Sequence, residues 1–195
     1  MWAVPAEAHM GFVGLGHFAN GALHPLLLPA HIMVIAGIGL FAGRQGYGRG
    51  VETAATFFSG CLVGLAAVSA STSIRAIPET WLQSGILVGA LVVGLGVALA
   101  LTLPRWIVLS VIGIAATVIV VDSSYEAERP FLVVQTYAGT LLSSTLAVLY
   151  ITGVSAAIHT SRPEWVRIGV RIAGSWIAAI AMLVLALQLA GARPA

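Results

Sequence analysis

The chain has 195 residues, 59% of them hydrophobic and 8% charged, with a formal net charge of +2. A soluble domain carries charge on about a quarter of its residues, so this composition excludes one and calls for several membrane helices. All nine basic residues are arginine and form no run, which excludes a nucleic-acid surface.

The opening MWAVPAEAHMGF lacks the charged segment and apolar core of a cleavable signal peptide. Residues 1–23 are rich in glycine and read as an outer interfacial segment or a short helix leading to His24. The first span covers residues 25–43, with His24 at its mouth and His31 inside it. It is about as long as a hydrocarbon core of roughly 30 Å demands. Ionisable side chains in such a run are costly and mark a functional site. Pro25 suits the first turn of a helix. Pro29 cannot donate to the Pro25 carbonyl and frees that oxygen near both histidines.

Further spans are expected at 53–73, 81–103, 106–121, 131–158 and 166–189. Gly60 with Gly64, and Gly85 with Gly89, have the spacing of backbone-to-backbone helix packing. Cys61, the single cysteine, lies in an apolar stretch and reads as packing. Trp81, Trp106 and Trp165 stand at span ends as interfacial anchors. DSSYEAERP, residues 122–130, reads as an acidic loop, and HTSRPEWVR, residues 159–167, as a polar one. His9 and His159 accordingly read as solvated loop histidines. No internal repeat or linker divides the chain. The expectation is one all-α, polytopic membrane bundle of about six helices.

Arginine placement sets the orientation. With the N-terminus outside, Arg44, Arg49, Arg105, Arg162, Arg167 and Arg171 are cytoplasmic, and Arg75, Arg129 and Arg193 are not. Glu7, Glu79, Asp122, Glu126 and Glu128 then share the outer face with His9, His17 and His24. Such a mouth attracts cations.

The segment HPLLLPAHIMVIAGIGLFA resembles the first-span signature of the HupE/UreJ family, approximately H-P-x-x-G-x-D-H-L-L-A-M-x-x-V-G-L-W-A. His24, Pro25, His31, Gly39, Leu40 and Ala42 fall in register, with Phe41 in place of an aromatic. SGILVGALVVG, YAGTLLSSTLAVLY and RIAGSWIAAIAMLVLAL resemble later spans of the family, so the likeness covers nearly the whole chain. The resemblance implies a nickel or cobalt permease of the bacterial cytoplasmic membrane. It carries metal-ligand roles to His24, His31 and Glu128. Two departures stand out. Ala30 replaces the motif aspartate, and Leu28 its glycine. In VDSSYEAERP, Val121, Ser123 and Tyr125 stand where the family has histidines; Glu128 and Pro130 are kept.

Nickel and cobalt accept imidazole nitrogen and carboxylate oxygen. Seven residues apart, His24 and His31 share a face of an ideal helix, with Cα atoms about 10 Å apart. An unbroken helix is therefore a poor chelator; either the freed turn at Pro25–Pro29 brings the rings together, or each serves a separate step of a pathway. A divalent ion also needs anionic compensation, which Ala30 cannot give and Glu128 or Glu126 would supply. The structural alternative is a hydrogen-bonded histidine pair in a scaffold. On that reading the protein is a non-transporting accessory subunit among partner subunits in the lipid bilayer. No nucleophile–base order, phosphate-cradling loop or CxxC points to an enzyme. No resident cofactor is implied, and haem ligation fails because His159 lies at the opposite side.

Overall fold

The computed structural model describes residues 14–46, 49–123 and 129–191. Eight helices occupy them: α1 (His17–Leu27), α2 (Pro29–Arg44), α3 (Arg49–Ala70), α4 (Thr72–Arg75), α5 (Glu79–Ala98), α6 (Arg105–Asp122), α7 (Pro130–Ser161) and α8 (Glu164–Gly191). Five are long and apolar enough to cross a membrane, and α1 with α2 makes a sixth if the bent pair is one span. The chain is an all-α integral membrane bundle.

The first span, expected over residues 25–43, is not one continuous helix. It breaks at Leu28, where α1 and α2 meet at 73°. Proline disfavours helical backbone in the residue before it, and Leu28 is extended at φ −77°, ψ 119°. Pro29 then opens α2 at a position where a missing N–H costs nothing. Pro25 does not open the span but lies inside α1, which starts eight residues earlier at His17. Its ring removes the amide that would reach the Gly21 carbonyl. That carbonyl is answered by the Thr140 hydroxyl of α7 at 2.9 Å. The two helices meet backbone to backbone: a β-carbon at Gly21 would run into the Thr136 carbonyl, and one at Gly139 into that of Phe18.

Inside the bundle α2 is the axis. Val34, Ile35 and Ile38 are fully buried, packed with Phe57 of α3, Leu87 and Val93 of α5, Ile112 and Ile119 of α6 and Val148 of α7. α3 packs on α6 through Gly60 and Gly64, and the Thr117 hydroxyl reaches the Gly60 carbonyl at 2.9 Å. Gly85 and Gly89 meet only side chains, at ordinary contact distance. α8 packs chiefly on α5, and its outer face is left to lipid.

Helix ends fall where charge and backbone geometry change. α5 stops at Ala98 rather than near Leu103, because Ala100 takes a left-handed conformation at φ 57°. The Leu101 and Ala100 amides then fold back onto Gly96 and Val97. α7 runs on through His159, which is thus helical and not in a loop. Arg44, Arg105 and Arg171 gather at one end of the bundle. The break at Leu28 and the C-terminus of α6 lie at the other.

Candidate functional site

His24 sits in the last turn of α1, and His31 is the third residue of α2. On a straight helix their rings would be separated by nearly two turns. The bend at Leu28 folds them onto each other, with ring centroids 5.6 Å apart at an interplanar angle of 60°. The two prolines therefore act differently. Pro29 makes the corner, and Pro25 is tolerated beside it because Thr140 satisfies the carbonyl it orphans.

The third member of the site is Asp122. It ends α6 and is only 8% exposed. Nε2 of His31 donates to its Oδ2 at 2.9 Å, with His31 itself 1% exposed. The next residue, Ser123, places its hydroxyl 3.5 Å from Nδ1 of His24, a long contact at the edge of hydrogen bonding. The end of α6 thus meets both histidines across the bend.

This pairing fixes the tautomer. With Nε2–H given to the carboxylate, a neutral imidazole keeps its lone pair on Nδ1. Among the described residues, Nδ1 of His31 and Oδ1 of Asp122 have no hydrogen-bond partner. Buried polar atoms are normally paired, so these two are open valences. An imidazole steadied by a carboxylate through one nitrogen, with the other nitrogen open, is the usual arrangement behind a metal-ligating histidine. Among the described residues, no three His, Cys, Asp or Glu side chains converge closely enough to hold an ion between them. The site is a dyad with a neighbouring ring, not a closed cage.

The bend brings the rings of His24 and His31 together. Glu128, and Glu126 as its alternative, lie outside the described residues, as do Glu7 and His9. His17 is exposed at the start of α1. The sequence alone places Asp122 as the first residue of a loop, whereas the structure makes it the last residue of α6. The signal was there. Val108, Ile112, Ala116 and Ile119 form the buried stripe of α6, and one more step of three lands on Asp122. His159 was missed for the same reason, being read as loop. In the structure its Nδ1 donates to the Ser155 carbonyl at 2.8 Å, and its Nε2 accepts from Nε of Arg44 at 3.2 Å.

The family model described as HupE / UreJ protein matches residues 1–184. No curated protein and no solved structure matches the chain.

Proposed function

This chain belongs to the HupE/UreJ family, and from that premise we propose that it carries a divalent transition metal, nickel or cobalt, across the bacterial cytoplasmic membrane. The family is associated with membrane proteins of nickel and cobalt transport. The observation that carries the reading is the buried bond between His31 and Asp122. A divalent cation entering a medium of low dielectric needs a compensating anion and ligands freed from water. Asp122 provides the charge that Ala30 cannot, from another helix. With His31 as neutral imidazole, the pair bears one net negative charge.

In this mechanism Asp122 holds the His31 ring by Nε2 and turns Nδ1 to the ion. His24 supplies the second nitrogen. Two imidazoles sharing an ion at bonds of roughly 2 Å place their nitrogens about 3 Å apart. Rings with centroids 5.6 Å apart reach that with small side-chain rotations. The lack of a closed ligand cage suits a carrier, since an ion that must leave again is best held weakly. Pro29 adds to the site by withholding the amide that would otherwise reach the Pro25 carbonyl at the corner. Glu128 is a candidate at the mouth on the strength of the family motif alone.

Arginine bias supports the orientation. The end bearing Arg44, Arg105 and Arg171 faces the cytoplasm and the N-terminus lies outside, so an incoming ion meets His24 and His31 early. Nickel and cobalt accumulation in cells producing His31→Ala or His24→Ala should fall well below that of the wild-type protein at equal protein level. Accumulation unchanged in both variants would end the permease reading and leave the accessory-subunit one.

A further inference from the structure

The arginine-rich end holds a second constellation, remote from the histidine site. Arg44 donates from Nη1 to the Val97 carbonyl at 3.0 Å and from Nε to Nε2 of His159 at 3.2 Å. His159 gives its Nδ1–H to Ser155 and accepts on Nε2. It is therefore neutral and brings no charge of either sign. The very next carbonyl of α5, that of Ala98, accepts from Nε of Arg171 at 3.0 Å. Two guanidinium groups from α2 and α8 are thus moored on adjacent carbonyls of the last turn of α5.

Their charge is not balanced. Among the described residues, neither Arg44 nor Arg171 makes an ion pair. Glu164, the acid on α8, stands seven residues before Arg171 and makes no ion pair with it. The C-terminus of α5 contributes about half a negative charge, against two full positive ones. The bonds described use only Nε of Arg171 and leave both its terminal nitrogens, a planar fork suited to phosphate oxygens. Beyond Arg171, deeper along the same helix, Ile172, Trp176 and Leu183 form an outward stripe with exposures of 52%, 66% and 60%. A paired positive charge at a helix end with an apolar strip running from it matches a phosphate attached to an acyl chain.

We propose that Arg44 and Arg171 bind the phosphate of an anionic phospholipid at the corner of α2, α5 and α8, with its chain laid along Ile172, Trp176 and Leu183. Free phosphate shares the headgroup chemistry, but the strip favours the lipid. Binding of phosphatidylglycerol and of phosphatidylcholine to the full chain in detergent, measured by native mass spectrometry, tests this. Wild-type protein should prefer phosphatidylglycerol. Each arginine near a membrane surface is worth about 1 kcal/mol towards an anionic lipid, or roughly fivefold, so Arg171→Gln should weaken that binding about fivefold. Arg171→Lys should keep most of it, and Arg75→Gln at the opposite end should change nothing. Arg44 also ties three helices together, so the Arg171 variants carry the test. Equal binding of both lipids by the wild-type protein, or binding unaltered by Arg171→Gln, overturns the proposal. Displacement of phosphatidylglycerol by an equal concentration of inorganic phosphate also overturns it, since the occupant would then come from water.

Discussion

Replacing Asp122 with asparagine isolates the charge of the site from its shape. The Oδ2 atom of Asp122 accepts from Nε2 of His31 at 2.9 Å, with side-chain exposures of 1% and 5% for the pair. An asparagine oxygen can still accept that proton, so the fold should survive with a neutral hydrogen bond in place of a charge-assisted one. The difference is about 1 kcal/mol of stability. The cost to the ion is larger. Loss of a carboxylate that steadies a metal-ligating histidine lowers metal affinity about 10- to 100-fold, or roughly 1.4–2.7 kcal/mol. Asp122→Ala goes further, leaving a buried Nε2–H with no acceptor at a cost of another ~1–3 kcal/mol in stability. Cellular uptake of radioactive nickel or cobalt over a range of external concentrations gives the first quantity. Thermal unfolding of the purified protein in detergent gives the second. Half-saturation should rise about 10- to 100-fold in Asp122→Asn, with only a small drop in melting temperature. An asparagine variant with the wild-type concentration dependence would refute the assignment of the compensating charge to Asp122.

Thr140→Val should destabilise the protein by about 0.6–2 kcal/mol, the range for hydrogen bonds between membrane helices. Adding Pro25→Ala should recover much of it, because the new amide can reach the Gly21 carbonyl; additive losses in the double-mutant cycle would contradict the pairing. Gly21→Ala forces a β-carbon into the Thr136 carbonyl and should cost at least about 1–3 kcal/mol. Gly153→Ala, where a β-carbon meets nothing within 4 Å, should be neutral or stabilising by up to about 1 kcal/mol; both are read by thermal unfolding. Pro29→Ala removes the constraint on Leu28 and lets the first span straighten, so metal uptake should drop severalfold while the melting temperature holds or rises. Uptake equal to wild type would show that the corner is not needed.

The helices were legible because each apolar run is long and bounded by polar residues; only the breaks needed three-dimensional information. The sequence alone favours Pro25 as the opener of the span and Pro29 as the interior proline, the reverse of what the structure shows. What separates them is the hydroxyl of Thr140, 119 residues from Gly21, which pairs the carbonyl that Pro25 orphans. The histidines are readable from their spacing and the family motif, but helix geometry leaves a bend and two separate stations equally open, and only the structure shows the bend. The carboxylate was not found because Asp122 adjoins a polar run, and charged residues at span ends are usually solvated. Its burial depends on the end of α6 abutting the start of α2. Nor could the sequence show His159 and Arg44 facing each other, since that contact depends on α7 running past the expected boundary.

The distances along the chain between these partners have a consequence for biosynthesis. His31 leaves the ribosome 91 residues ahead of Asp122, and Gly21 leaves 119 ahead of Thr140. At roughly 5–20 residues per second those partners follow after about 5–24 s. In the interval a bare imidazole and an unanswered carbonyl would face hydrocarbon, at several kcal/mol for each unsatisfied group. Nascent α1 and α2 therefore gain by lingering in the hydrated mouth of the insertion machinery until α6 and α7 emerge, and a chain halted before α7 would leave its leading helices stranded there.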